Sequence, residues 1–331
     1  MKKILSVQQI LNILLVKPIS PQTQQITLKA LEGWVAKALA HQGDQISGLF
    51  APQSTFSGTM ADRVVPINVK GNPDHIEIYM DSFLKGLKGI AWNLIKLNPI
   101  CENFCLATGS YTFEKQYGVG PITKTTGHFS FIVDKEGKIR HHHSGIKLDE
   151  EAVITLDQTT EHPPVLVGSD PLHKSEEILC GEIQWVSPTT EEQRRLVLTA
   201  LKSWENIVGE NKFEDAASLF SPLSTFCGMR ADRVIKLNDG SNTKLLEFYL
   251  EQFLTREKQN TLTWKELLIN PLERGADSPI VATGTYCLTT GSDTQEGHFT
   301  FILEAETGRF LHFHSGLKAD KSTEIILPRD A

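Results

Sequence analysis

The sequence predicts an α+β protein built from two copies of one domain, each with helices followed by an antiparallel sheet. Three observations carry this. First, "LFAPQSTFSGTMADRVV" (49–65) returns as "LFSPLSTFCGMRADRVI" (219–235), "IYMDSFL" (78–84) as "FYLEQFL" (248–254), and "GHFSFIVDKEGKIRHHHSGIK" (127–147) as "GHFTFILEAETGRFLHFHSGLK" (297–318). The offset stays at 170–171 residues, a whole duplicated domain and not a solenoid repeat. Second, each copy begins with apolar residues at helical spacing and ends with alternating, β-branched and aromatic runs. Third, 331 residues are enough for two domains, each with its own core. The boundaries read as 1–157 for the first domain, 158–186 for a linker and 187–331 for the second.

The elements follow in order. Residues 1–20 read as a short leading helix; Gln8, Gln9 and Asn12 interrupt the apolar run that a signal peptide would need. "SPQTQQITLKALEGWVAKALA" predicts a helix capped by Ser20 with Pro21 in its first turn. "SPTTEEQRRLVLTALKSW" predicts its counterpart, opened by Ser187 and Pro188. A short helix through "DQISGLF" and a loop containing Gly58 follow. "HIEIYMDSFLKGL" places Ile76, Tyr79, Met80 and Phe83 on one helical face. Five strand-like runs come next: "GIAWNLIKL", "FCLATGSYTFEK", "TGHFSFIVD", "KIRHHHSGIK" and "AVITLD", with "DKEGK" as a hairpin turn. Helices first and strands second argue for an α+β layer over alternating βαβ units. "QTTEHPPVLVGSDPLHKSEE", rich in turn formers, reads as the linker.

Composition narrows the function classes. A net charge of −7 and no Lys/Arg run argue against a nucleic-acid footprint. No stretch is long enough for a membrane span. Five cysteines without a C-x-x-C pattern suggest reduced thiols and a cytoplasmic setting.

The combination "TFSGTMADR", "YMDSFL", "ATGSYTF", "GHFSF" and "HHHSG" resembles the nuclear transport factor 2-like superfamily. Within it, the motifs are similar to the association domain of calcium/calmodulin-dependent kinase II and to the iota-class carbonic anhydrase group. The resemblance implies two tandem cone-shaped domains, each enclosing a pocket between helices and the concave sheet face. It further implies an intramolecular pseudo-dimer, with a homodimer as an extension. The iota-class group implies metal-independent CO2 hydration, a lyase activity, with bicarbonate as the small-anion ligand and no cofactor. Carried over by motif, its pocket residues fall on Thr59, Tyr79, His142 and Ser144. Their hydroxyls could hold water and bicarbonate oxygens, with neutral His142 as proton acceptor near physiological pH. Copy two keeps Tyr249 and Ser315, which makes it a degenerate ligand site, but has Met229 and Phe313 at the Thr59 and His142 positions. Both copies read Ser-Gly where the iota-class motif has Ser-Ser, and His128 and His298 stand where an arginine is expected.

Strand alternation puts His142 and Ser144 of "HHHSG" on one face and His141 and His143 on the other, and the resemblance implies that the first pair faces the pocket. The second pair recurs as His312/His314, which favours a structural role on the outer face. Zinc binding by His-x-His with His128 is the competing reading, and no carboxylate or cysteine completes it. Tyr111 and Tyr286 read as sheet packing, and Asp62-Arg63 and Asp232-Arg233 as loop-fixing ion pairs. Three functions follow: a carbonic anhydrase-like enzyme active in copy one, a binding module for a small ligand, or an assembly domain. The difference between copies at Thr59/Met229 and His142/Phe313 favours a working first pocket.

Overall fold

The computed structural model describes residues 13–70, 72, 74–146, 180–237, 243–254, 259–318 and 325–327. The chain divides into two compact units. One comprises Met1–Lys147 together with Lys318–Ala331, the other Leu148–Leu317.

The first unit starts with strand β1 (Ile13–Leu15), where the sequence reading expects helix; β1 runs parallel to β4 (Leu87–Cys101). Helix α1 (Pro21–Leu39) begins where expected. Ser20 accepts from the Thr23 amide at 3.0 Å, which satisfies one of the four unpaired N–H groups of the first turn. It buries Leu31, Trp34 and Ala38. Full burial of one such large apolar side chain stabilises by roughly 1.5–3 kcal/mol. The "DQISGLF" stretch forms α2 (Gly43–Ile46) and a 3₁₀ turn at Ser47–Leu49. Strands β2 (Phe50–Ser57) and β3 (Val65–Ile67) precede α3 (His75–Phe83). β4, β5 (Phe104–Lys115), β6 (Thr123–Asp134) and β7 (Ile139–Ile146) form an antiparallel meander. The turn between β6 and β7 needs Gly137 at φ 81°, a conformation costly for a residue with a Cβ. The strand order is β1-β4-β5-β6-β7-β2-β3, with β2 parallel to β7.

Period-two alternation sets which side chains meet the helices. On β5 these are Cys105, Ala107, Tyr111 and Phe113; on β6 they are Phe129, Phe131 and Val133. β4 carries a bulge between Trp92 and Leu94, and Gly109 of β5 pairs with Ile95 just past it.

The second unit repeats the plan. β8 (Cys180–Trp185) runs parallel to β11 (Asn260–Pro271). These six residues lie inside the stretch read as linker, whose residues 158–179 fall outside the described ones, as does "AVITLD". Helix α4 (Glu191–Glu210) starts three residues later than Ser187-Pro188 suggests. Its cap is Thr190, in a capping box with Gln193, while the Ser187 hydroxyl bonds Asn270 instead. A 3₁₀ segment (Phe213–Leu219), β9 (Phe220–Cys227), β10 (Ile235–Lys236) and α5 (Thr243–Leu254) follow. The sheet is completed by β11, β12 (Ile280–Thr290), β13 (Asp293–Leu303) and β14 (Phe310–Leu317), with β9 parallel to β14.

The first unit also contains a piece from far along the chain. The Ile325 amide donates to the Met60 carbonyl (2.7 Å), and the Asp62 amide donates to the Ile325 carbonyl (3.0 Å). Asp62 Oδ1 accepts from the Leu327 amide (2.9 Å), and Arg63 donates to the Leu327 carbonyl (2.7 Å). Ile325 and Leu327 are buried in the first unit's core. Asp62 and Arg63 therefore hold this strap. In the second unit the expected ion pair does form, Arg233 to Asp232 at 3.7 Å. Asp62→Ala removes the acceptor of a part-buried amide. We expect a loss of about 1–3 kcal/mol in urea unfolding and faster proteolysis near residue 325. Unchanged protection there would count against the strap.

Candidate functional site

In the first unit, α1, α3, the loop after β2 and four strands enclose a cavity. It offers about 10 Å3 to the centre of a water molecule, room for about one. Thr59, Tyr79, His142 and Ser144 all line it, with Trp34, Phe83, Trp92, Tyr111, Phe129 and Phe131. The sequence-predicted residues are thus brought together, and alternation along β7 is the reason His142 and Ser144 share this face.

Three hydroxyls form one network. Thr59 Oγ1 donates to Ser144 Oγ at 2.9 Å and lies 2.6 Å from the Tyr111 hydroxyl; the Thr59 amide also donates to Ser144 Oγ at 3.0 Å. Tyr111, read from sequence as sheet packing, belongs to this network. Its signal was parity: it stands two residues from Phe113 and four from Ala107, both on the inner face of β5. Burial pushes its phenol up to about 12, against the hydrogen bonds from Thr59 and Ser144. Burial likewise raises Tyr79, so both phenols stay protonated. Gly58 lets the Tyr79 ring lie against the loop, since a Cβ there would overlap the ring. The Tyr79 hydroxyl accepts from the Met60 amide at 3.4 Å.

His142 sits in an aromatic box. Its ring stacks on Phe131 (4.1 Å between centroids, 16°) and meets the edges of Trp34 (5.5 Å) and Phe56 (5.1 Å). Burial, with a smaller contribution from His141, holds its pKa well below the ordinary histidine value. It is neutral at physiological pH and a weak base, which corrects the expectation that it accepts a proton there. Its Nδ1 is enclosed without a hydrogen-bond partner. His141 and His143 lie fully buried on the other face of β7, and His141 Nδ1 is 2.7 Å from Thr55 Oγ1. His312 repeats that contact with Thr225 at 2.7 Å.

The second unit holds the larger cavity, about 40 Å3 by the same measure and room for about three waters. Trp204, Tyr249, Phe253, Trp264, Tyr286, Phe299, Phe313 and Ser315 line it together with aliphatic side chains. Met229, at the Thr59 position, brings no hydroxyl; Ser315 still accepts from the Met229 amide at 3.1 Å, as Ser144 does from the Thr59 amide, and bonds Tyr286 directly. The Tyr249 hydroxyl accepts from the Arg230 amide at 3.4 Å. The copy that looks degenerate from sequence is therefore the roomier one. Among the described residues, no charged side chain lines either cavity. No helix among them is long and apolar enough to cross a membrane.

No family model matches the chain, and no curated protein matches it. Solved structures do resemble parts of it. A Xanthomonas campestris protein assigned as a calcium/calmodulin-dependent kinase II association domain is 23% identical over 36% of this chain and 84% of its own, with a TM-score of 0.32. A Novosphingobium aromaticivorans protein assigned as a scytalone dehydratase is 12% identical over 39% and 89%, with a TM-score of 0.33. A Shewanella frigidimarina protein assigned as a ketosteroid isomerase is 15% identical over 36% and 94%, with a TM-score of 0.30. Each spans about one unit's length. The element order and strand pairing of each unit, helices followed by an antiparallel meander, are the α+β arrangement that the sequence predicts.

Proposed function

We propose that the cavity of the second unit binds a small molecule with a largely apolar body, without transforming it. The observation behind this reading is the character of the polar groups turned inward. They are the protonated phenols of Tyr249 and Tyr286 and the Ser315 hydroxyl, which already accepts from the Met229 amide. General acid–base work needs a group that changes protonation near the working pH. A few hydrogen-bonding groups among aromatic walls suit orientation of a ligand.

A thermal-shift titration with isobutanol and phenol tests it. Both should raise Tm, and Val208→Phe, which fills the second cavity, should abolish most of the rise. No shift with either compound would remove the reading.

A second reading, metal-independent CO2 hydration in the first unit, draws on one observation: Thr59, Tyr79, His142 and Ser144 surround a space the size of one water. Three converging hydroxyls could orient that water. Hydration above background in the presence of chelator, lost in Ser144→Ala, would favour this reading over simple binding.

A further inference from the structure

We propose that the second cavity takes a short amphipathic carboxylate, its alkyl body among Trp204, Trp264, Phe299 and Phe313 and its carboxylate at Arg230. The inference rests on the ligand-binding reading and adds the chemical class.

Arg230 follows Met229 in the loop after β9. Its guanidinium carbon lies 5.4 Å from the centre of the Phe253 ring. Phe253 lines the cavity and stacks on Tyr249, 5.6 Å away at 25°. The guanidinium therefore lies beside a ring that lines the cavity. Its charge is felt inside: burial pushes the Tyr249 and Tyr286 phenols up, and Arg230 acts against that in both. The Nε of Arg230 is shielded from solvent and has no acceptor among the described residues. The nearby Asp232 is engaged by Arg233. The Arg230 Nε thus lacks an acceptor among the described residues, and a carboxylate arriving there would supply one.

The first unit places a cation over the same ring by another route. Phe83 occupies the Phe253 position, and Met60 stands where Arg230 does. The charge comes instead from the end of β5: Lys115 Nζ lies 4.7 Å from the Phe83 centroid. Its polar neighbours are Met60 Sδ at 3.8 Å and the Tyr117 hydroxyl at 3.3 Å, with no carboxylate. Burial lowers this amine to about 8. The second unit has Thr290 at that strand position. Two unrelated positions thus supply one feature, a cation beside the aromatic residue at the cavity's edge. Aromatic stacking alone does not require it, since an alkyl side chain would pack there equally well.

A carboxylate fits a single guanidinium because the planar fork offers it two parallel N–H donors. A dianionic phosphate would call for further cations, and none lines this cavity. Room for about three waters suits a short branched alkyl group.

The test is calorimetric titration of the full chain at pH 7 with isovalerate and with isovaleramide, which differ in charge and hardly in shape. The acid should bind at least about tenfold tighter than the amide, and the preference should shrink at high salt. Arg230→Gln should bring the acid to the amide's level and leave the amide unchanged, which also shows that the variant is folded. Arg230→Lys should restore part of the preference. Equal affinities in the unaltered chain, or a preference that survives Arg230→Gln, would overturn the inference and leave the cavity reading standing. No binding of either compound would overturn both.

Discussion

Replacing Gly109 or Gly284 by alanine is expected to cost about 3 kcal/mol each, the upper end of what overpacking costs. The two glycines hold the same place in the two units. Each pairs with the residue just past a bulge in the neighbouring long strand, Ile95 after Trp92/Leu94 in β4 and Leu267 after Trp264/Glu266 in β11. The bulge pushes a carbonyl toward the facing strand. A Cβ on Gly109 would overlap the Leu94 carbonyl and stand 3.2 Å from the Phe129 ring; on Gly284 it would overlap the Glu266 carbonyl. The closest overlap is with backbone in both cases, so no flexible side chain can yield to relieve it. Relief would require flattening the bulge, which is what turns Trp92 and Trp264 onto Phe129 and Phe299. Gly48→Ala is the control, since nothing lies within 4 Å of the added carbon. Urea midpoints should separate the two cases clearly. A Gly109→Ala variant as stable as Gly48→Ala would show that the strand pair relaxes freely. The "ATG" shared by the two copies is thus accounted for by the bulge, without any role in the chemistry.

The second large effect is loss of stability in mild acid. Burial holds His312 down to about 3 and His142 well below its ordinary value. Both are neutral when folded and titrate near 6.5 when unfolded. Below pH 6.5 the unfolded chain therefore binds more protons, and stability falls as pH falls. The contribution is fully present above pH 6.5 and is lost progressively down to the folded value. At about 1.4 kcal/mol per pH unit for each group, the two histidines together remove about 4 kcal/mol between pH 7 and pH 5. The measurement is the urea midpoint at pH 7, 6 and 5. Replacing His142 by phenylalanine should roughly halve the slope. The second unit shows that the ring fits, since Phe313 stands at that position within 4.6 Å of Phe301 and 5.2 Å of Trp204. Removing the enclosed, unpartnered Nδ1 should also add about 1 kcal/mol at pH 7. A midpoint constant from pH 7 to pH 5 would mean that these rings are solvated or already charged.

Much of this could be read from the residues because it depends on local periodicity. Ser20 and Pro21 announce α1, and alternation alone divides His141/His143 from His142/Ser144. The four residues carried over from the resemblance do surround one space. The failures have physical causes too. Ser187-Pro188 looks like a helix start, but Thr190 and Gln193 make the reciprocal pair that three-residue spacing allows, and that box wins. Tyr111 was set aside because packing and hydrogen bonding are both open to a tyrosine on an inner face; only the position of Thr59, fifty-two residues away, decides between them. The partners of Asp62 and Arg63 lie more than 260 residues along the chain, beyond any local pattern. Cavity size was hidden as well. Phe313 in place of His142 reads as a degenerate site, whereas the space depends on how thirteen side chains pack around it.

The strap has a consequence for modularity. Ile325 and Leu327 belong to the core of the first unit, yet they are encoded after the last strand of the second. No single cut in the gene can release the first unit whole. A fragment ending near Lys147 would leave the Met60 carbonyl and the Asp62 and Arg63 side chains without the groups that satisfy them. Gene fission, the simplest way for a duplicated protein to separate its halves again, is closed to this one unless the strap is supplied in trans.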